Sequence, residues 1–209
     1  MKYTFLISAA TLLLISCSKT GDVPAIPQLP ERYKDEIFTN VLITNNIKYG
    51  QALRYTGSGT EDLMLDLYQP EADTASSRPL VIGVHGGAFI TGDKQAANWP
   101  EVCKAFAKRG YVAASINYRL GRAAGEEYEP AWRAQQDLRA AIRFARANAA
   151  AIKINSSKIY IMGSSAGGAT CLITAYMDAG EAPASVNQAI WGNIEGSSGS
   201  PGYSSAVSG

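Results

Sequence analysis

The chain has 209 residues, of which 46% are hydrophobic, and its 19 basic and 18 acidic side chains leave a formal charge of +1. That is enough apolar material for one globular domain. Collagenous, repeat and coiled-coil architectures are excluded, and the lack of a basic stripe speaks against nucleic acid as a partner.

Lys2, the apolar run Tyr3–Ile15 and small Ser16 before Cys17 read as an export signal, since the run is short for a bilayer span. Leu14-Ile15-Ser16-Cys17 resembles a bacterial lipobox. That resemblance implies a signal peptide over 1–16, cleavage before Cys17 and lipid on its thiol and new amino terminus. The protein would then sit on a bacterial membrane, on the periplasmic or cell-surface side. An ordinary secretory signal with an incidental cysteine is the alternative. Pro24, Pro27 and Pro30 mark a tether, taken over 17–36, and the folded domain is expected over 37–209.

A first strand is expected around Val41–Tyr49, at or near an edge. Asp62–Tyr68, DLMLDLY, alternates with period two as a half-exposed strand does. Arg78–His85, RPLVIGVH, is apolar throughout its centre, the mark of a strand covered on both faces. Trp99–Arg109 has helical spacing with Gly110 as its stop, and a strand follows at Tyr111–Tyr118.

The longest helical pattern, Pro130–Ala151, puts Trp132, Leu138, Ala141, Ile142 and Ala145 in a buried stripe. Arg133, Arg139, Arg143 and Arg146 are expected on a solvated face, with Asp137 pairing locally. Lys158–Met162 is the next buried strand and Gly167–Ala179 the next helix. Cys103 and Cys171 fall in expected helices among apolar neighbours, so two buried free thiols are expected rather than a disulfide. The alternation gives an α/β fold with a mostly parallel sheet and helices on both faces.

Chemistry concentrates in two places. Lys158–Gly168, KIYIMGSSAGG, carries G-x-S-x-G between strand and helix, with Ser165 at the turn and small Gly163, Ala166, Gly167 and Gly168 around it. A serine that only caps the helix is the alternative, and Ser164 is an equal candidate for that cap. His85-Gly86-Gly87-Ala88-Phe89 follows a central strand, where a glycine pair leaves backbone N–H groups unobstructed. Gly87 and Ala88 are the expected oxyanion donors there, joined by Ala166, with the condition that Ala88 keeps a negative φ. His85, the only histidine, is expected to order that loop rather than to serve as the base.

Together these segments resemble the serine esterases of the α/β-hydrolase fold, in their hormone-sensitive-lipase-like and carboxylesterase branch. The resemblance covers about Val41 to Met177. It implies Ser165 as the nucleophile, an oxyanion hole at Gly87, Ala88 and Ala166, no metal and no organic cofactor. The family orders its triad as serine, acid, histidine, whereas beyond Ser165 this sequence holds only Asp178, Glu181 and Glu195 as acids and no histidine.

The expectation is therefore an incomplete α/β-hydrolase domain lacking its C-terminal strands, nearly inert as written, whose intact form cleaves short or aromatic acyl esters, including esters on polysaccharides. A Gly/Ser-rich tail on a degenerate, non-catalytic surface binding module is one alternative, and a serine peptidase of the same fold another.

Overall fold

The computed structural model describes residues 29–208, so the signal segment and Cys17 lie outside the described residues. Five strands form one sheet: β1 Val41–Leu53, β2 Thr60–Pro70, β3 Arg78–Val84, β4 Val112–Ile116 and β5 Ile154–Gly163. Their order is β1-β2-β4-β3-β5. The parallel pairing expected from the strand-helix alternation runs through β4, β3 and β5. β2 runs antiparallel to both of its neighbours, β1 and β4, which makes the sheet mixed.

Burial explains the strand chemistry. All seven residues of β3 and all five of β4 are buried, as continuous apolar runs covered on both faces require. In β2, Leu63, Leu65 and Leu67 are buried, and so is Asp66, which pairs with Lys94 at 3.2 Å.

Two helices connect the parallel strands: α1, Trp99–Lys108, between β3 and β4, and α2, Glu129–Ala147, between β4 and β5. Pro100 and Pro130 stand in their first turns, where a missing N–H breaks no helical bond. A third helix, α3, Ala166–Tyr176, leaves β5 and ends three residues before the expected Ala179, where a 3₁₀ turn occupies Ala179–Glu181. A short helix, α4, Gln188–Trp191, follows. Cys103 in α1 and Cys171 in α3 are free and buried, as expected, and burial pushes both thiols up to about 12.

The arginine row of α2 overturns the expectation of a solvated face. Arg133, Arg139 and Arg143 are buried, because the irregular segment after α3 folds across this side of the helix. Arg139 and Arg143 both pair with Glu195, at 2.9 and 2.7 Å, and Arg143 also donates to the carbonyls of Glu195 and Ser198. Arg133 pairs with Glu126 at 2.8 Å. Asp137 reaches outside its helix to Arg119 instead of pairing locally.

At the amino end, residues expected as the close of the tether lie against the domain. Arg32 donates to Asp73 and to the Gly110 carbonyl, and Tyr33 N–H donates to the Arg109 carbonyl.

β5 forms an edge. Beside it the Ser208 N–H donates to the Ile159 carbonyl at 2.8 Å, and the Ile159 N–H donates to Ser208 Oγ at 3.1 Å. Open clefts of about 510 and 650 Å³ flank Tyr160–Met162 on the two sheet faces.

Candidate active site

Ser165 stands between the last residues of β5 and the first of α3, at φ 51° and ψ −121°. A non-glycine residue held there costs about 1–3 kcal/mol, so the surrounding contacts have to impose it. Those contacts are backbone against backbone. A Cβ on Gly163 would lie 2.3 Å from the Gly167 carbonyl, and one on Gly167 only 2.1 Å from the Val84 carbonyl. The turn is thus pressed onto the end of β3 with no room for side chains.

Ser165 is solvent-exposed and its side chain makes no capping hydrogen bond to α3. The capping alternative fails for that reason, and the hydroxyl is free to act.

The loop after β3 comes to the same place. A Cβ on Gly86 would sit 3.1 Å from Ser165 Cβ. Gly87 has φ 116° and would clash with the Thr91 carbonyl if it carried a side chain. Its own carbonyl accepts from Ile90 and Thr91 N–H at 2.9 and 3.1 Å.

Ala88 departs from expectation: its φ is +52°, and Phe89 follows at +62°. Two successive left-handed residues turn the chain over Gly87, which a negative φ at Ala88 would not do. Among the described residues the N–H groups of Gly87, Ala88 and Ala166 donate to no protein acceptor. These three N–H groups lie on the two segments that meet at Ser165, and unpaired backbone donors of this kind are the groups able to hold a developing oxyanion.

The loop is anchored by groups that periodicity does not reveal. Buried Lys94 joins Asp66, its N–H donates to Asn117 Oδ1 at 2.7 Å, and its carbonyl accepts from Ser115 Oγ at 2.6 Å. Period-two alternation puts Asp66 with Asp62 on the half-exposed face of β2, so no sequence signal marks this anchor.

His85 is 1% exposed. Its Nδ1 bonds the Gly86 carbonyl at 2.6 Å, while Nε2 has no partner among the described residues. Neither nitrogen therefore touches Ser165. Burial, the dominant influence, lowers its pKa below the ordinary 6.5. Among the described residues no group of three or more His, Cys, Asp or Glu side chains is arranged to hold a metal. Neither of the two clefts beside β5 includes Ser165, Gly87 or Ala88.

A protein-family profile described as BD-FAE matches residues 65–198. The chain is 35% identical over 117 residues to carboxylesterase 3 of Homo sapiens, an alignment covering 53% of this chain and 20% of that protein. It is 36% identical over 109 residues to phenmedipham hydrolase of Pseudarthrobacter oxydans, covering 50% and 21%. A thermophilic esterase of Thermogutta terrifontis, with propionate bound, superposes at TM-score 0.52 and 28% identity over 70% of this chain and 47% of that one. The chain thus spans a fifth of the length of these curated relatives and under half of that esterase.

Proposed function

Because the chain belongs to the BD-FAE family, a carboxylesterase-like branch of the α/β-hydrolases, we propose that it is the nucleophile-bearing part of a carboxylic ester hydrolase. Ser165 attacks the ester carbonyl, an acyl-enzyme forms with release of the alcohol, and water then frees the acid. The N–H groups of Gly87, Ala88 and Ala166 hold the oxyanion of each tetrahedral intermediate. One such donor is worth about 10²–10³ in kcat. The observation that carries this reading is the unpaired donor trio beside a strained, uncapped, exposed serine.

The Ser165 proton needs a general base, which in serine esterases of this fold is an imidazole. His85 is committed to Gly86, and the sequence has no other histidine. We assign the base and its acid to a further segment of the gene product, because a serine without its base loses about 10⁶ in turnover. Short acyl esters are the favoured substrates, supported by the propionate- and butyrate-bound forms of the Thermogutta esterase. Aromatic acyl esters and esters carried by polysaccharides extend that proposal, and a lipid anchor at Cys17 would hold the enzyme on a bacterial membrane facing them.

The test uses a fluorophosphonate on the full-length gene product, a reagent class supported by the cyclosarin-phosphonylated form of that esterase. Wild type is expected to label, and Ser165→Ala not to. A correctly folded wild type that never labels would instead support a non-catalytic binding module, consistent with the commitment of the only histidine to a structural contact.

A further inference from the structure

We propose that Tyr118 is a positioning residue for the oxyanion hole, holding the Gly86–Gly87 peptide so that the Gly87 N–H faces Ser165. The inference rests on the ester-hydrolase reading and adds to it a residue outside both motifs.

Tyr118 lies two residues beyond β4 and is buried. Its hydroxyl donates to the His85 carbonyl at 2.9 Å and lies 3.5 Å from the Gly86 carbonyl. Its ring stacks on the His85 imidazole, centroids 4.3 Å apart and planes 19° apart. The stacked imidazole bonds the Gly86 oxygen through Nδ1, which must carry the proton, since a carbonyl only accepts.

In a trans peptide the C=O and the following N–H point in opposite directions. An oxygen held toward His85 and Tyr118 therefore sends the Gly87 N–H to the other side, where it is unpaired. The next peptide is held by the same logic, through the two N–H groups that bond the Gly87 oxygen and so release the Ala88 N–H.

Gly92 supplies the clearance. A Cβ there would lie 2.6 Å from His85 Nδ1 and 2.8 Å from the Gly86 oxygen. Burial raises the Tyr118 phenol to about 12, so it remains a donor throughout the working range.

Tyr118→Phe in the full-length protein keeps the ring stack and removes the hydroxyl. The expected result is a fall in kcat on p-nitrophenyl acetate of about 10–100-fold, less than deletion of a donor because the N–H is misaimed and not lost. KM should stay within about twofold, and a boronic acid that mimics the tetrahedral intermediate should weaken by the same factor as kcat. Gly92→Ala, which crowds both His85 Nδ1 and the Gly86 oxygen, is expected to give the same split. Ser165-dependent hydrolysis left intact in either folded variant, with only a lowered Tm, overturns the positioning role alone. Hydrolysis that persists in Ser165→Ala, or a wild type with none, overturns the ester-hydrolase reading and this inference with it.

Discussion

Gly163 and Gly167 face each other across the turn that carries Ser165, so closely that a Cβ on Gly163 would lie 2.3 Å from both the carbonyl carbon and oxygen of Gly167. The contact is between backbones, which have no rotamer with which to yield. Gly163→Ala is expected to destabilise the domain by at least about 3 kcal/mol, the upper end of overpacking costs, and to lower fluorophosphonate labelling of what remains folded. Gly168→Ala is the matched control. Its Cβ would meet nothing closer than 3.4 Å, and removing a helical glycine should stabilise by up to about 1 kcal/mol. Urea denaturation of the two variants reads the opposite signs.

Ala88 carries a left-handed backbone conformation with a side chain attached. An L-residue there pays about 1–2 kcal/mol that glycine does not, offset in part by the greater freedom of glycine in the unfolded chain. Ala88→Gly is therefore expected to raise stability by about 0.5–1 kcal/mol in the same denaturation assay, with kcat altered less than threefold because the N–H is retained. A destabilised Ala88→Gly would show that the methyl group packs favourably enough to outweigh the strain.

The sheet and the site motifs were legible because their signals are local. β3 is buried on both faces and reads as a continuous apolar run; α1 and α2 open with proline and present apolar stripes. Arg133, Arg139 and Arg143 were misleading for a physical reason. Periodicity sees polar side chains and assigns them to water, but a guanidinium is equally satisfied by carbonyls and a carboxylate. Here the acceptors include Thr174 in the last turn of α3 and Glu195 and Ser198 on irregular backbone, 35 to 55 residues away with no sequence signature. The φ of Ala88 was likewise invisible, since it depends on how Gly87 meets Thr91 in three dimensions.

Arg119 and Asp137 make the ion pair most removed from solvent in this arginine-rich region, with side chains 5% and 0% exposed and an N–O distance of 2.8 Å. Asp137 also accepts from the Arg119 backbone N–H at 2.8 Å, so one carboxylate fixes both the side chain and the peptide of the residue next to Tyr118. Removing one partner leaves the other charge buried without compensation, a loss of about 3–5 kcal/mol. Asp137→Ala is expected to fall in that range, measured by denaturation. A cost below about 1 kcal/mol would mean that water or the Gln136 side chain satisfies Arg119 unaided.

His85 gives the fold a defined acid sensitivity. Burial holds its pKa below 6.5, opposed in part by its bond to Gly86 and the charge of Asp93, and a proton added to Nε2 finds no acceptor among the described residues. In the window between the folded and unfolded values the unfolded chain binds a proton that the native state refuses. Stability therefore rises with pH there: the His85 contribution is unimpaired above about 6.5 and is progressively lost as pH falls toward the folded value. With a single histidine in the sequence, tag-free protein should show one imidazole Cε1–H resonance titrating below 6.5. His85→Gln should flatten the stability slope over the same interval. A resonance titrating at or above 6.5 would show that the imidazole is charged in the folded state at mildly acidic pH, and the Gly86 contact would then have to be read as one made by an imidazolium.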